Sequence, residues 1–313
     1  MLYKEYCLDT VFTEFLADNN LNKKSQCSYK YALKQFLEKY PNYEDFTMEN
    51  CKDYFDKLIE KKELKKSTVI KKKKELSSFF NYVENKKEEF EGIPSDFENP
   101  IRFIKLAGAE KEEINVNKVI GLSELNNLLE YLQEHNKACM VAVILSFKLM
   151  LKTSEIARLK WKDIIEAEDK HFLAITNKGE TRYLSMPEDV YERIMEYSDA
   201  LINDGKDLSS YMFVDRKKCV QEKERKAISQ RELQIWIKKA EEELGMDKYT
   251  YNDLRNSGIT YAIRHKCPVE VIKEQIDLKT HTHIKRLSSA ASISFTNAAD
   301  YTHVVFTGGN GQK

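Results

Sequence analysis

Residues that break helices are scarce in this chain, and their scarcity limits the folds that it can adopt. Only 10 glycines and 5 prolines occur among 313 residues, whereas 33% of the residues are charged. Between these breaks, apolar residues recur every three or four positions, which is the spacing of an amphipathic helix. The pattern therefore predicts a mainly helical protein.

The clearest interruption of the helical pattern lies at residues 88–100 (EEFEGIPSDFENP), which contain one glycine, two prolines and several acidic residues. Such a stretch is typical of a domain boundary. We therefore predict a domain of four or five short helices over residues 1–95 and a linker over residues 96–117. Residues 118–313 are predicted to form a second, larger domain.

Two segments of the larger domain have distinctive patterns. Residues 138–151 are almost entirely apolar, which predicts a long buried helix. Apolar runs on both sides of Asn177-Lys178-Gly179 predict an antiparallel hairpin. The expected fold class is mainly α, with two domains and a small antiparallel sheet in the second.

Positive and negative charges balance in the chain as a whole. Lysine and arginine together number 51, as do aspartate and glutamate, which excludes a globally basic nucleic-acid binder but allows a locally basic one. Residues 61–75 (KKELKKSTVIKKKKE) are such a local exception, with eight lysines and two glutamates. They form either a solvated helix face or a surface where lysines and a helix amino terminus bind phosphate.

Several classes of protein and site are not indicated. The six cysteines are scattered without a C-x-x-C pair, so the sequence predicts neither a disulfide framework nor a zinc site. No apolar run approaches the ~20 residues of a membrane span, and the amino end has no secretion signal. We therefore expect a cytoplasmic protein without membrane contact, metal or cofactor.

Four short segments carry chemistry-bearing residues in a fixed order. Residues 149–164 are LMLKTSEIARLKWKDI, and residues 175–187 are ITNKGETRYLSMP. Residues 251–258 are YNDLRNSG, and residues 294–304 are SFTNAADYTHV. In this order the segments resemble the motifs of the tyrosine recombinase (phage integrase) family.

The resemblance implies a catalytic site. Tyr301 falls on the nucleophile, Lys178 on the hairpin lysine, Lys152 and Arg255 on the two arginines, and Asn252 on a histidine. In the family, the tyrosine attacks a DNA phosphodiester and forms a 3′-phosphotyrosyl link and a free 5′-hydroxyl, without metal or ATP. Cationic groups stabilise the charge on the phosphate, and a lysine near the leaving oxygen acts as general acid.

This sequence also departs from the family pattern. Lys152 keeps a positive charge but lacks the two-pronged hydrogen bonding of arginine, and Asn252 can donate a hydrogen bond but cannot carry a proton. The family's Leu-Gly-His falls near residues 276–278, which are Ile-Asp-Leu. Three residues remain open as substitutes for that histidine: His281, His283 and Ser292. Lys152 and Lys178 also have ordinary alternatives, as a cation ending a helix and as a solvated turn residue.

The resemblance extends to the amino-terminal domain. An early Phe-Leu helix, a Leu-Lys-Lys-Ser-Thr helix start at Leu64 and the pair Asn99-Pro100 fit the family's core-binding domain. Candidate DNA contacts come from this helix start and from the hairpin: Lys65, Lys66, Ser67, Thr68, Lys71, Lys72 and Arg182.

The implied function is site-specific cleavage and rejoining of double-stranded DNA. The expected setting is integration, excision or resolution of mobile or plasmid DNA, with self-association on DNA as a dimer or tetramer. Two alternatives stay open. One is a relaxase that nicks plasmid DNA with the same tyrosine chemistry, and the other is a degenerate DNA-binding protein that keeps the fold without turnover.

Overall fold

The computed structural model divides the chain into two compact units, Met1–Glu112 and Glu113–Lys313. It describes most of both units, with several gaps. The described residues are 2–41, 43–60, 64–90, 93–106, 118–167, 169–177, 179–208, 210–214, 226–277, 284 and 287.

The first unit is helical throughout its described part. Its α-helices are α1 (Leu2–Asp18), α2 (Lys23–Leu37), α3 (Met48–Glu60) and α4 (Lys66–Asn85), with a short 3-10 turn at Tyr43–Asp45. The helix start predicted at Leu64 agrees with the start of α4 at Lys66 to within two residues. Side chains set two of these starts, because Asn22 accepts a hydrogen bond from Ser25 N and Thr47 from Asn50 N.

Aromatic rings fill the core of the first unit. Phe36 on α2 lies edge-to-face with Phe80 on α4 and with Tyr54 on α3, so the rings join three helices. Four apolar residues beyond α4 belong to the same core: Phe97, Ile101, Ile104 and Leu106. The first part of the predicted linker therefore packs into the amino-terminal unit.

Asn99 fixes this segment against α4. Its side-chain amide donates to Ser77 O at 3.0 Å and to Asn81 Oδ1 at 2.7 Å, and its Oδ1 accepts from Ile101 N at 2.9 Å. Because Asn99 is buried and its amide has partners on both sides, the segment is held at a defined register.

The second unit combines helices with one small sheet. Its helices are α5 (Leu122–His135), α6 (Lys137–Phe147), α7 (Thr153–Ile156), α8 (Glu188–Asn203), α9 (Gln230–Leu244), α10 (Tyr251–Arg264) and α11 (Val269–Ile276). The strands are β1 (Ile164–Ala167), β2 (Lys170–Asn177) and β3 (Glu180–Met186), which pair antiparallel in that order. The predicted hairpin is confirmed as β2–β3, and β1 is an addition that the sequence pattern did not indicate.

Helix α6 is the centre of the second core. Residues 138–147 are all buried, which confirms the buried helix, but α6 ends at Phe147 and not at the predicted residue 151. The chain turns at Met150, whose φ of 54° is left-handed and cannot continue an α-helix. Helix α10 approaches α6 closely at Gly258, where an added Cβ would lie 1.9 Å from Phe147 O.

Candidate active site

Three cationic side chains from different elements of the second unit converge on one carboxylate. Lys152 precedes α7, Arg182 lies on β3 and Arg255 lies on α10. Glu155 Oε1 is 3.0 Å from Arg182 Nη2 and 3.6 Å from Lys152 Nζ. Burial lowers the pKa of Arg255, and the negative charge of Glu155 acts against this shift. We call Lys152, Arg182 and Arg255 the cationic cluster.

Arg255 is held by backbone carbonyls. Its Nε donates to Met150 O at 2.6 Å, and its Nη2 donates to Ile276 O at 3.4 Å. Burial lowers its pKa and Glu155 opposes this shift, but a guanidinium stays protonated in proteins. Among the described residues, no acceptor takes the remaining three N–H groups, so the guanidinium can offer them to an anion.

Both carbonyls that hold Arg255 lie at left-handed turns. Met150 has a φ of 54°, and Asp277, which follows Ile276, has a φ of 51°. A non-glycine residue costs roughly 1–2 kcal/mol in this conformation. The Met150 side chain is buried with Ile259, Ile272 and Ile276, and this packing offsets the strain.

Glu155 and Arg182 connect the elements around the cluster. Glu155 is buried; its Oε2 accepts from Lys152 N at 2.8 Å and thereby caps α7, while its Oε1 accepts from Arg182. Arg182 Nε also donates to Gln275 O at 3.2 Å. Arg182 thus joins β3 to α7 and to α11, and the predicted contact of Arg182 with DNA stays a prediction.

Lys152 lies between two helices and not at the end of the long helix α6. It is the N-cap of α7 and lies after the end of α6, so the alternative that it ends the long helix is wrong. Its Nζ lies 3.6 Å from Glu155 and 3.9 Å from Asp277, and its side chain is one-third exposed. The ammonium can therefore reach solvent or a ligand.

The other predicted catalytic residues are only partly placed. Asn252 is exposed one helical turn before Arg255, in the first turn of α10. The remaining ones lie outside the described residues: Lys178, Tyr301, His281, His283 and Ser292. Two further members of the site, Glu155 and Asp277, were not proposed as site residues from the sequence. The i,i+3 spacing of a capping box marked Glu155, and Asp277 was noted only as part of the departure from the family's Leu-Gly-His.

A groove next to the cluster extends the charged surface. It has a volume of about 300 Å³ and lies between the segment after α7 and strand β2. Its lining includes Glu155, the hydroxyl residues Ser154 and Thr176, and three cationic residues: Arg158, Lys160 and Lys162. Within the described part of the chain, Arg158 and Lys162 have no carboxylate partner.

In the first unit, the lysine-rich segment forms the start of α4. Lys65 is the N-cap, and Lys65 and Ser67 are exposed while Lys66 and Thr68 are half-buried. Lys71 Nζ bonds Ser28 Oγ at 2.7 Å, yet the Lys71 side chain is 63% exposed. We call the accessible lysines of this surface the α4 lysine face: Lys65, Lys66, Lys71 and Lys74.

Lys72 differs from its neighbours because it is buried. Only 5% of the residue is exposed; Nζ donates to Gln35 Oε1 and lies 4.6 Å from the centroid of the Tyr31 ring. Burial lowers its pKa, and Glu75 opposes this shift. The predicted DNA contact of Lys72 competes with a structural role that joins α2 to α4.

Comparison with known families identifies the chain. The sequence model of the phage integrase family matches residues 118–291, which are more than half of the 313 residues. This protein belongs to the phage integrase, or tyrosine recombinase, family. A second model, the phage integrase N-terminal SAM-like domain, matches residues 10–89.

Solved structures show the same fold for this recombinase-family protein. A lambda integrase dimer bound to a COC′ core site has a TM-score of 0.70 at 13% identity, covering 93% of this chain and 79% of that one. The Tn1549 transposon integrase in complex with transposon right end DNA has a TM-score of 0.67 at 12% identity, covering 91% and 98%. XerH recombinase bound to a palindromic difH substrate has a TM-score of 0.68 at 15% identity, covering 90% and 81%.

The comparison with curated proteins found no match to this sequence. In the described residues, no helix is long and apolar enough to cross a membrane. The same residues include no group of three or more histidine, cysteine or acidic side chains placed to hold a metal ion.

Proposed function

We propose that this protein cleaves and rejoins double-stranded DNA at specific sites, with Tyr301 as the nucleophile. Membership of the tyrosine recombinase family supports this proposal. The observation that carries it is the cationic cluster, because its cations meet around one small region of the second unit. A phosphodiester is the DNA group that such a cluster would bind.

In the proposed reaction, the Tyr301 oxygen attacks the phosphorus and the bond to the 5′-oxygen breaks. The tyrosine proton passes to a solvent water molecule, and the 5′-oxygen gains a proton from Lys178, the proposed general acid. Rejoining reverses the same bond changes, so no external energy source is required. Arg255 would stabilise the charge on the phosphate oxygens through its three available N–H groups.

Lys152 would supply a second positive charge to the phosphate. An ammonium acts as a point charge and does not bind two oxygens in a fixed plane, so we expect weaker stabilisation than from arginine. Asn252 would donate a hydrogen bond to the phosphate from the start of α10.

Affinity for the duplex would come mainly from the α4 lysine face and the first turn of α4. Exposed lysines release counterions when they contact phosphates, and the backbone N–H groups at a helix start favour an anion. Recombination between two sites would further require self-association on DNA, as a dimer or tetramer. Integration, excision or resolution of mobile or plasmid DNA is the proposed setting.

The decisive experiment uses a nicked suicide DNA substrate, which traps the covalent intermediate. The parent protein is expected to form an adduct that peptide mapping assigns to Tyr301. Tyr301→Phe removes one oxygen and keeps the ring, so it should bind DNA but form no adduct. If Tyr301→Phe still becomes linked to DNA, the nucleophile is another residue.

The same experiment separates two alternatives. Lys152 and Asn252 in place of an arginine and a histidine favour a DNA-binding protein without turnover. DNA binding by the parent without an adduct on any cognate site would support that alternative. An adduct on single-stranded plasmid-transfer DNA, with no rejoining of duplex sites, would instead support a relaxase.

A further inference from the structure

Asp277 places a negative charge beside Lys152 of the cationic cluster. It follows α11 in the left-handed conformation, with a φ of 51°, where aspartate and asparagine are better tolerated than most side chains. Its Oδ2 lies 3.9 Å from Lys152 Nζ, and its side chain is 43% exposed. The carboxylate is therefore next to the Lys152 ammonium and partly open to solvent.

The two carboxylates of the site have different structural roles. Glu155 is buried, and both of its oxygens accept hydrogen bonds, one from Lys152 N and one from Arg182. The Asp277 carboxylate has Lys152 as its one ion-pair partner among the residues that the structure describes. The charge of Glu155 therefore stabilises the fold, whereas the charge of Asp277 acts mainly on Lys152.

We infer that Asp277 is a competing counterion that limits the affinity of the cluster for phosphate. It pairs with Lys152 in the DNA-free protein, and a phosphodiester that binds the partly exposed ammonium must compete with this carboxylate. This inference rests on the proposed function, because it takes the DNA phosphate as the anion. An anion bound to Lys152 would lie close to Asp277, and like charges at such distances repel in a partly exposed site.

Asp277→Asn tests the inference with little structural change. Asparagine keeps the shape of the side chain and tolerates the left-handed conformation, so the variant removes only the charge. Asp169→Asn is the matched control. Asp169 is also left-handed, with a φ of 61°, and is exposed. It lies away from the cluster, in the β1–β2 turn before β2, whereas Arg182 pairs with Ile175 near the far end of that strand.

Two measurements are made on the full chain. The first is the dissociation constant for a short duplex of arbitrary sequence at low and moderate salt. We expect Asp277→Asn to bind about three- to tenfold more tightly than the parent, with the larger gain at low salt, and Asp169→Asn to match the parent. The second is the rise in melting temperature with sulfate, which should be larger for Asp277→Asn than for Asp169→Asn.

The outcomes distinguish this inference from the proposed function. If Asp277→Asn binds duplex no more tightly than the parent and gains no more from sulfate than Asp169→Asn, Asp277 does not compete for Lys152. If no variant binds duplex but Asp277→Asn still gains more from sulfate, the competing counterion stands and the DNA function fails.

Discussion

The α4 lysine face and the cationic cluster both gather positive charge, but they hold it differently. Lys71 on the α4 lysine face is mostly exposed, although it pairs at 3.4 Å with Glu75, which is buried. Arg255 in the cluster is buried and fixed by two carbonyls. Exposed lysines suit general attraction to DNA, whereas a fixed guanidinium suits the stabilisation of one phosphate.

The comparison is tested most strongly at Arg255. Arg255→Ala removes a preorganised cation, and the loss of one such group costs about 10²–10³ in rate. We expect adduct formation on the suicide substrate to fall by this factor, while the affinity for non-cognate duplex falls much less. An equal loss of affinity and rate would show that Arg255 acts like the exposed lysines.

A second variant tests whether close helix packing positions the cluster. In Gly258→Ala the new Cβ would overlap Phe147 O, so α10 must move away from α6 and carry Arg255 with it. We expect a loss of about 3 kcal/mol in the free energy of unfolding. Chemical denaturation measures this loss, with Glu192→Ala at an exposed position of α8 as control. Unchanged stability would mean that the two helices adapt easily.

Lys152 gives the next smaller effect, because its ammonium is more exposed than Arg255. Lys152→Ala should slow adduct formation about tenfold or more, and Lys152→Arg should keep or raise the rate by restoring a planar fork. Single-turnover cleavage rates provide the measurement. If Lys152→Ala cleaves as fast as the parent, Lys152 does not contact the phosphate.

The α4 lysines give the smallest effects and contain an internal control. Replacing Lys65 and Lys74, which are exposed and have no ion-pair partner among the described residues, with glutamine should flatten the dependence of affinity on salt by about one unit per lost contact, without a change in stability. Lys72→Gln should instead lower stability by ~1 kcal/mol, because it removes a buried hydrogen bond and a contact with Tyr31. Salt titrations and denaturation curves separate the two results.

Sequence patterns predicted most of the fold because the helices have clear apolar periodicity and clear ends. The apolar run that begins at residue 138 is buried in α6, and Gly179, with a φ of 87°, supports the predicted turn between β2 and β3. The end of α6 was missed because residues 148–151 continue the apolar composition. A left-handed methionine at residue 150 has no sequence signature.

The candidate site was only partly predictable, because contacts between distant segments also leave no pattern in the sequence. The motifs marked Lys152 and Arg255 by position along the chain, and both lie in the cationic cluster. The partners of these residues come from distant segments, such as Ile276 O and Asp277, and pairings of this kind depend on the three-dimensional packing. The burial of Lys72 was missed because a run of four lysines does not show which one faces the neighbouring helix.

Asn99 and the segment that it anchors also bear on how the two halves of this protein can be separated. A fragment that stops at residue 95 would lack Ile101, Ile104 and Leu106, all of which lie in the amino-terminal core. It would also leave the Ser77 carbonyl and Asn81 without the amide that now bonds them. An isolated amino-terminal half should therefore retain the chain through Leu106, and a cut before Asn99 would expose an aromatic core to solvent.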